Sequence, residues 1–210
     1  MITKDLQTEV KIKEAAVELF EKYGSKGTTV RKVAEKAGVN LALMNYYFQS
    51  KDQLFLDIFN ERFARYRDFG IPLLMDRSIS FEKRLENYYD AMIAGMEEHP
   101  GLPMFILSEL HFNENLSPEN GLPDSSGIQE QIEKMLREEF EAGNIRKISA
   151  LEFQLIIVSQ TVFPYLMSKQ LDVIGSNGKT SNPWSLSGFM KSTYKTNFLE
   201  MVTAFLVKIK

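Results

Sequence analysis

The sequence predicts an all-α protein, and three observations carry that expectation. Apolar residues recur at helical spacing in almost every segment between turn signals, and no run alternates with period two for long enough to make a strand. Glycine, proline and asparagine gather in the intervals between those segments. With 210 residues the chain can bury a substantial core in one large or two small domains.

The elements follow in order. Ile12, Ala15, Ala16, Leu19, Phe20 and Tyr23 lie on one face of a first helix, which Gly24 stops. Thr28 or Thr29 can N-cap a short second helix to about Lys36, with Val30, Val33, Ala34 and Ala37 inward. Asn40 can cap a third helix through Tyr47. Ser50 can cap a fourth that runs to about Phe69, where Gly70-Ile71-Pro72 ends it. Further helices are expected near 80–98, 101–112, 126–142, 149–170 and 186–209, giving about nine in all. Pro100 and the tracts NENLSPENGLPDSSG (113–127) and GSNGKTSNP (175–183) mark breaks. The organisation expected is a three-helix unit over 1–50 and a larger helical domain over 51–210.

Composition narrows the function classes. There is no cysteine, which removes disulfides, thiolate metal sites and cysteine nucleophiles. No 18 consecutive residues are apolar, and the N-terminus MITKDLQTEVKIKEAA has neither an apolar leader core nor a cleavage site, so a soluble, cytoplasmic protein without membrane attachment is expected. Charge is divided unevenly. Residues 1–51 hold nine Lys/Arg against six Asp/Glu, and the remainder holds 16 against 22. A basic head on an acidic body suits a head that meets a polyanion, although drift in composition gives the same count.

Helix, tight bend, helix is the geometry of a helix-turn-helix, whose second helix lies in the major groove of DNA. Ala34 is small where two helices would cross, Gly38 permits a left-handed bend, and Val33, Ala37, Val39, Met44 and Phe48 supply the apolar side. An ordinary αα-hairpin shares the glycine bend and the apolar face, and the features together favour the DNA-binding geometry over it.

The run from Ile12 to Leu54, with AAVELFEKYG, TTVRKVAEKAGV and NYYFQSKDQL in order, resembles the N-terminal domain of TetR-type bacterial transcriptional regulators. That resemblance implies a ligand-responsive regulator, a repressor, that binds a palindromic operator in double-stranded DNA as a homodimer and is released by a small-molecule effector. It implies no cofactor and no enzymatic activity. Carried over by position, Thr29 and Arg31 approach the DNA from the second helix, while Leu41, Ala42, Leu43 and Asn45 face the groove. Tyr46, Tyr47, Ser50 and Lys51 follow at the backbone. The chemistry agrees: Ser50 and Lys51 bring helix-end amides and an ammonium together, and the tyrosines offer hydroxyls on stiff side chains. A tyrosine is more usual in the family where this chain has Asn45. Asparagine can pair with adenine and the apolar neighbours can meet thymine methyls, so a half-site core containing A·T pairs is expected.

The body holds two broad apolar helices. LEFQLIIVSQTVFPYLMSK (151–169) is too apolar around its circumference for one wet side, and is expected to be buried on two faces; the last helix, with Phe189, Tyr194, Phe198, Leu199, Val202, Phe205, Leu206 and Ile209, is similarly broad. Both fit the dimer interface that the resemblance implies, or two central helices of a monomer. Phe63, Tyr66, Tyr89, Met92, Met96, Phe105, Phe112, Phe163 and Met167, with Glu109 as polar partner, form a candidate set for a largely apolar effector, or simply core. Tyr88, Met104, His111 and Gln154 belong to the same group. GSNGKT lacks the first glycine of a phosphate-binding loop, because position 173 is Val173. His99 and His111 show no metal-ligand spacing, and Glu138, Glu139 and Glu141 read as a solvated face rather than a catalytic pair. A helical small-molecule carrier whose N-terminal unit contacts protein stands as the alternative function.

Overall fold

The computed structural model describes residues 2–116, 126–175 and 186–206. These are helical and carry no strand among the described residues, as the periodicity predicts. The GSNGKT segment from Ser176 on, the centre of the 113–127 tract and Ile209 lie outside them. By packing, the chain divides into two compact units, residues 1–66 with 100–123 and residues 67–99 with 124–210. This grouping is by contact and differs in kind from a functional division at residue 50.

The first unit contains α1 (Ile2–Gly27), α2 (Val30–Ala37), α3 (Leu41–Tyr47) and most of α4 (Lys51–Asp68). It is completed by a later helix, Leu102–Phe112, numbered α7. α1 begins ten residues before the first apolar stripe residue and continues past Gly24 with a kink there, at φ 69° and ψ 176°. Ile12, Ala15, Ala16 and Phe20 are buried from α1, Val33 and Ala34 from α2, Met44 from α3, and Leu54, Phe55, Ile58 and Phe59 from α4. Phe105 of α7 closes this core against Phe55 and Phe59, with ring centroids 6.4 and 6.0 Å away. Phe20 meets Phe55 edge-on at 5.2 Å. Edge-to-face rings of this kind add to burial, so α7 is held by the same aromatic cluster that joins α1 to α4.

The second unit contains α5 (Ile71–Leu74), α6 (Phe81–Glu98), α8 (Ser126–Glu141), α9 (Ala150–Gly175), α10 (Leu186–Lys191) and α11 (Thr193–Leu206). α6 is its axis. Ser80 caps it by accepting from Lys83 N, and Leu85, Tyr88, Tyr89, Met92, Ile93 and Met96 are all buried along it. Two buried hydroxyls are satisfied by backbone: Tyr89 donates to Met190 O at 2.7 Å and Tyr165 to Met96 O at 2.6 Å.

Two expectations change. The single helix expected over 186–209 is interrupted at Ser192, whose N–H is shared between Gly188 O at 3.1 Å and Phe189 O at 3.4 Å while its hydroxyl also donates to Gly188 O at 2.7 Å, a tightened turn that separates α10 from α11. In the single chain, α9 is buried on one face rather than two. Phe153, Ile157, Thr161, Val162 and Tyr165 are covered, while Leu151, Leu155, Phe163 and Met167 are exposed. Over Ala150–Met167 this helix is long and apolar enough to cross a membrane, and one third of that stretch is buried in the fold.

Candidate nucleic-acid interface

The site is assembled from caps. Thr29, in extended backbone, accepts from Lys32 N and starts α2; Thr28 is instead buried, its hydroxyl donating to Leu19 O at 3.1 Å. Of the four residues expected inward on α2, Val33 and Ala34 are buried and Val30 and Ala37 are half-buried. Gly38 ends the helix at φ 68° and ψ 31°. Val39 N donates to Ala34 O and Gly38 N to Glu35 O, the double bond pattern that satisfies the last carbonyls and turns the chain sharply. Asn40 then caps α3, its side chain accepting from Leu43 N at 2.9 Å. So α2, a four-step bend and α3 form a helix-turn-helix pinned by Val33, Ala34, Met44 and Phe48, all buried.

What that pinning leaves outside is the predicted groove-facing set. Leu41, Ala42, Leu43 and Asn45 are exposed, and Tyr46 is 75% exposed although its neighbours include a large ring. Tyr46 and Tyr47 meet edge to face at 5.2 Å. Leucines and a tyrosine on open surface are unexplained by the fold of the chain itself. Arg31 and Thr29 are exposed on α2. Ser50 accepts from Gln53 N at 3.0 Å, which uses one of the amides at the start of α4 and leaves the others at a positive helix end.

Lys51 is where geometry adds most. Its ammonium donates to Ser25 O at 2.9 Å and stands 4.0 Å from Asp52, so it is seated rather than swinging free. Lys26 shares a cleft of about 350 Å³ with Lys51, Asp52 and Asn113, a second exposed cation that the sequence pattern did not single out. Beneath lies a buried network. Glu109 accepts from Ser25 N at 2.7 Å, Ser25 Oγ at 2.9 Å and Asn113 Nδ2 at 3.0 Å. Sequence periodicity could not find this network, because Ser25 lies 84 residues from Glu109 and 88 from Asn113 along the chain.

The candidate effector residues do not form one cluster in either unit. Phe105, Glu109 and Phe112 line a cleft of about 410 Å³ with the end of α1, together with Met104 and Ser108. Both oxygens of Glu109 are already engaged there by protein donors. Tyr89, Met92 and Met96 are buried in α6 of the second unit. Phe63 and Tyr66 are half-buried on α4, whereas Phe163 and Met167 are exposed on α9. Burial pushes the Tyr88 and Tyr89 hydroxyls well above the ordinary tyrosine value, which fits groups held in the core of the second unit. Among the described residues no three His, Cys, Asp or Glu side chains are grouped to hold a metal ion.

Residues 12–58 match the family described as bacterial regulatory proteins, tetR family. The probable HTH-type transcriptional regulator YttP of Bacillus subtilis (strain 168) is 41% identical over 114 residues, 53% of this chain and 54% of that protein. The tetracycline repressor protein class D of Escherichia coli is 29% identical over 125 residues, 55% of this chain and 56% of the repressor. The chain thus spans about half the length of these relatives. A TetR family transcription regulator from Marinobacter aquaeolei VT8 shares the fold over 98% of both chains, with TM-score 0.67 and 19% identity.

Proposed function

We propose, from the premise that this chain belongs to the TetR family of bacterial regulatory proteins, that it is a DNA-binding transcriptional repressor released by a small molecule. The family is one of regulators rather than of enzymes. One observation carries the reading: the apolar and aromatic residues Leu41, Leu43 and Tyr46 stand exposed on a helix whose opposite side is locked into a helix-turn-helix. Such a surface is costly in water and suited to a major groove, where thymine methyls and base edges meet it.

In this reading residues 1–50 bind DNA and 51–210 carry effector binding and dimerisation. Asn45 and Arg31 discriminate bases; Thr29, Tyr46, Tyr47, Ser50 and Lys51 fix the register on phosphates. α4 runs unbroken from Lys51 to Asp68, roughly 27 Å at the usual helical rise, and links the phosphate end to Phe63 and Tyr66. The effector is largely apolar, in keeping with the aromatic and methionine side chains of the candidate set. It lowers DNA affinity only by as much as it prefers the non-binding arrangement, and DNA weakens effector binding equally. A homodimer presents two recognition helices about 34 Å apart, or a multiple of it, to a palindromic site. The exposed apolar faces of α9 and α11 support that assembly and account for their composition without a membrane. Its place of action is the cytoplasm, where the DNA is.

The test is selection from random duplexes followed by mobility-shift titration of the wild type and Asn45→Ala. The expected half-site contains A·T pairs, and Asn45→Ala changes which sequence is preferred, by about 1–3 kcal/mol of discrimination at one position. A strictly G·C core, or equal losses on selected and random duplexes, removes Asn45 from the readout. Absence of any retarded complex removes DNA binding.

A further inference from the structure

We infer that Glu109 is a positioning residue of the nucleic-acid interface: with Asn113 it clamps residue Ser25, and Ser25 in turn seats the Lys51 ammonium. The inference rests on the DNA-binding reading, uses Ser25 and Asn113, which that reading leaves idle, and gives Glu109 this task in place of one in the effector set.

The kink in α1 is the starting point. Gly24 adopts φ 69° and ψ 176°, a conformation that side-chain-bearing residues rarely take, and so the chain leaves the helix just before Ser25. In place of a helical carbonyl, the Ser25 N–H meets the Glu109 carboxylate at 2.7 Å. A Cβ placed on Gly24 would come 2.9 Å from Glu109 Oε1, so kink and carboxylate fit each other without room to spare. Glu109 is 5% exposed. A carboxylate this buried is expensive unless its oxygens are satisfied, and here three donors do so. Asn113 Nδ2 reaches Ser25 Oγ as well, at 3.1 Å, and closes the ring.

Ser25 is therefore gripped at both of its backbone groups. Glu109 holds its N–H, and its carbonyl accepts from Lys51 Nζ at 2.9 Å. An ammonium has three donors, and spending one on a fixed carbonyl leaves two for a phosphate oxygen. A lysine free on its four-carbon stem would have to be ordered when DNA arrives; this one is ordered beforehand, at the expense of a buried carboxylate one layer below. Asp52, 4.0 Å away, would compete for a lysine released from Ser25.

Fluorescence anisotropy of the full chain on a labelled duplex of about 30 base pairs and arbitrary sequence, between about 50 and 200 mM salt, reads the phosphate term directly. The proteins are wild type, Lys51→Ala, Glu109→Ala, Glu109→Gln and the two double variants with Lys51→Ala. Lys51→Ala is expected to flatten the salt slope by about one ion. Glu109→Ala should flatten it in the same direction, and its double variant should bind no more weakly than Lys51→Ala alone, within about twofold. Glu109→Gln keeps the side-chain length and secures the fold, and should follow with smaller amplitude; if circular dichroism shows Glu109→Ala unfolded, the glutamine pair decides. An unchanged slope in the Glu109 variants, or losses that multiply with Lys51→Ala, overturns the inference and leaves Glu109 a matter of stability only. A wild-type affinity indifferent to salt and to Lys51→Ala is a different failure, that of DNA binding itself.

Discussion

Arg84 is buried on α6, where its guanidinium donates to Leu74 O at 3.0 Å, pairs with Glu139 and lies 5.2 Å from the centre of the Phe81 ring. Removing Glu139 strands that charge. Glu139→Ala should cost about 3–5 kcal/mol in chemical denaturation, and adding Arg84→Met should recover much of it, because replacing both partners of a buried pair is far milder than replacing one. Glu139 was expected on a solvated face with Glu138 and Glu141; instead its carboxylate also accepts from Asn144 Nδ2 at 2.8 Å. The difference is instructive about single residues. Caps were legible, because Thr29, Asn40 and Ser50 act on amides three residues away. The partners of Glu139 and Glu109 were not, because those bonds span 55 and 84 residues and nothing local in the sequence encodes them.

Between elements, α6 and α11 are joined by Lys195, which reaches Glu86 at 2.8 Å and Asp90 at 2.7 Å. Hydrogen bonds from Lys195, then from Lys83, hold the Glu86 carboxyl at about 2, below its ordinary 4.5. A carboxylate depressed on folding stabilises fully above its unfolded value, and that stabilisation is lost as pH falls through the folded one. Glu86→Gln should therefore melt below the wild type at neutral pH. The gap should narrow between about pH 4.5 and about 2 and then close, as thermal denaturation across that range would record. A gap that persists unchanged at pH 2 assigns the contribution to packing. Helix identity was readable from periodicity throughout, but Pro72 read only as a stop, whereas it sits in the first turn of the four-residue α5. The break at Ser192 is hidden for a related reason: the apolar spacing runs straight through it, and only the local tightening of the turn, where the Ser192 N–H is shared between Gly188 O and Phe189 O, marks it.

For the molecule as a whole, the exposed apolar faces of α9 and α11 matter most. Leu155 is 61% exposed, Phe163 64%, Met201 45% and Phe205 46%. If a second copy covers them, Leu155→Asp with Phe163→Asp should yield a folded monomer by sedimentation velocity, with operator affinity reduced at least tenfold because each half-site then binds alone. Retention of a dimer by that variant would place the interface elsewhere. The sequence marked these helices as doubly apolar, and what it could not tell is that a single chain covers only one side of α9. Were that uncovered stripe the seam of a DNA-binding dimer, it would also set a dose law: while most chains are still solitary, occupancy of a two-fold site would climb with the square of their number, so halving synthesis would cut it roughly fourfold.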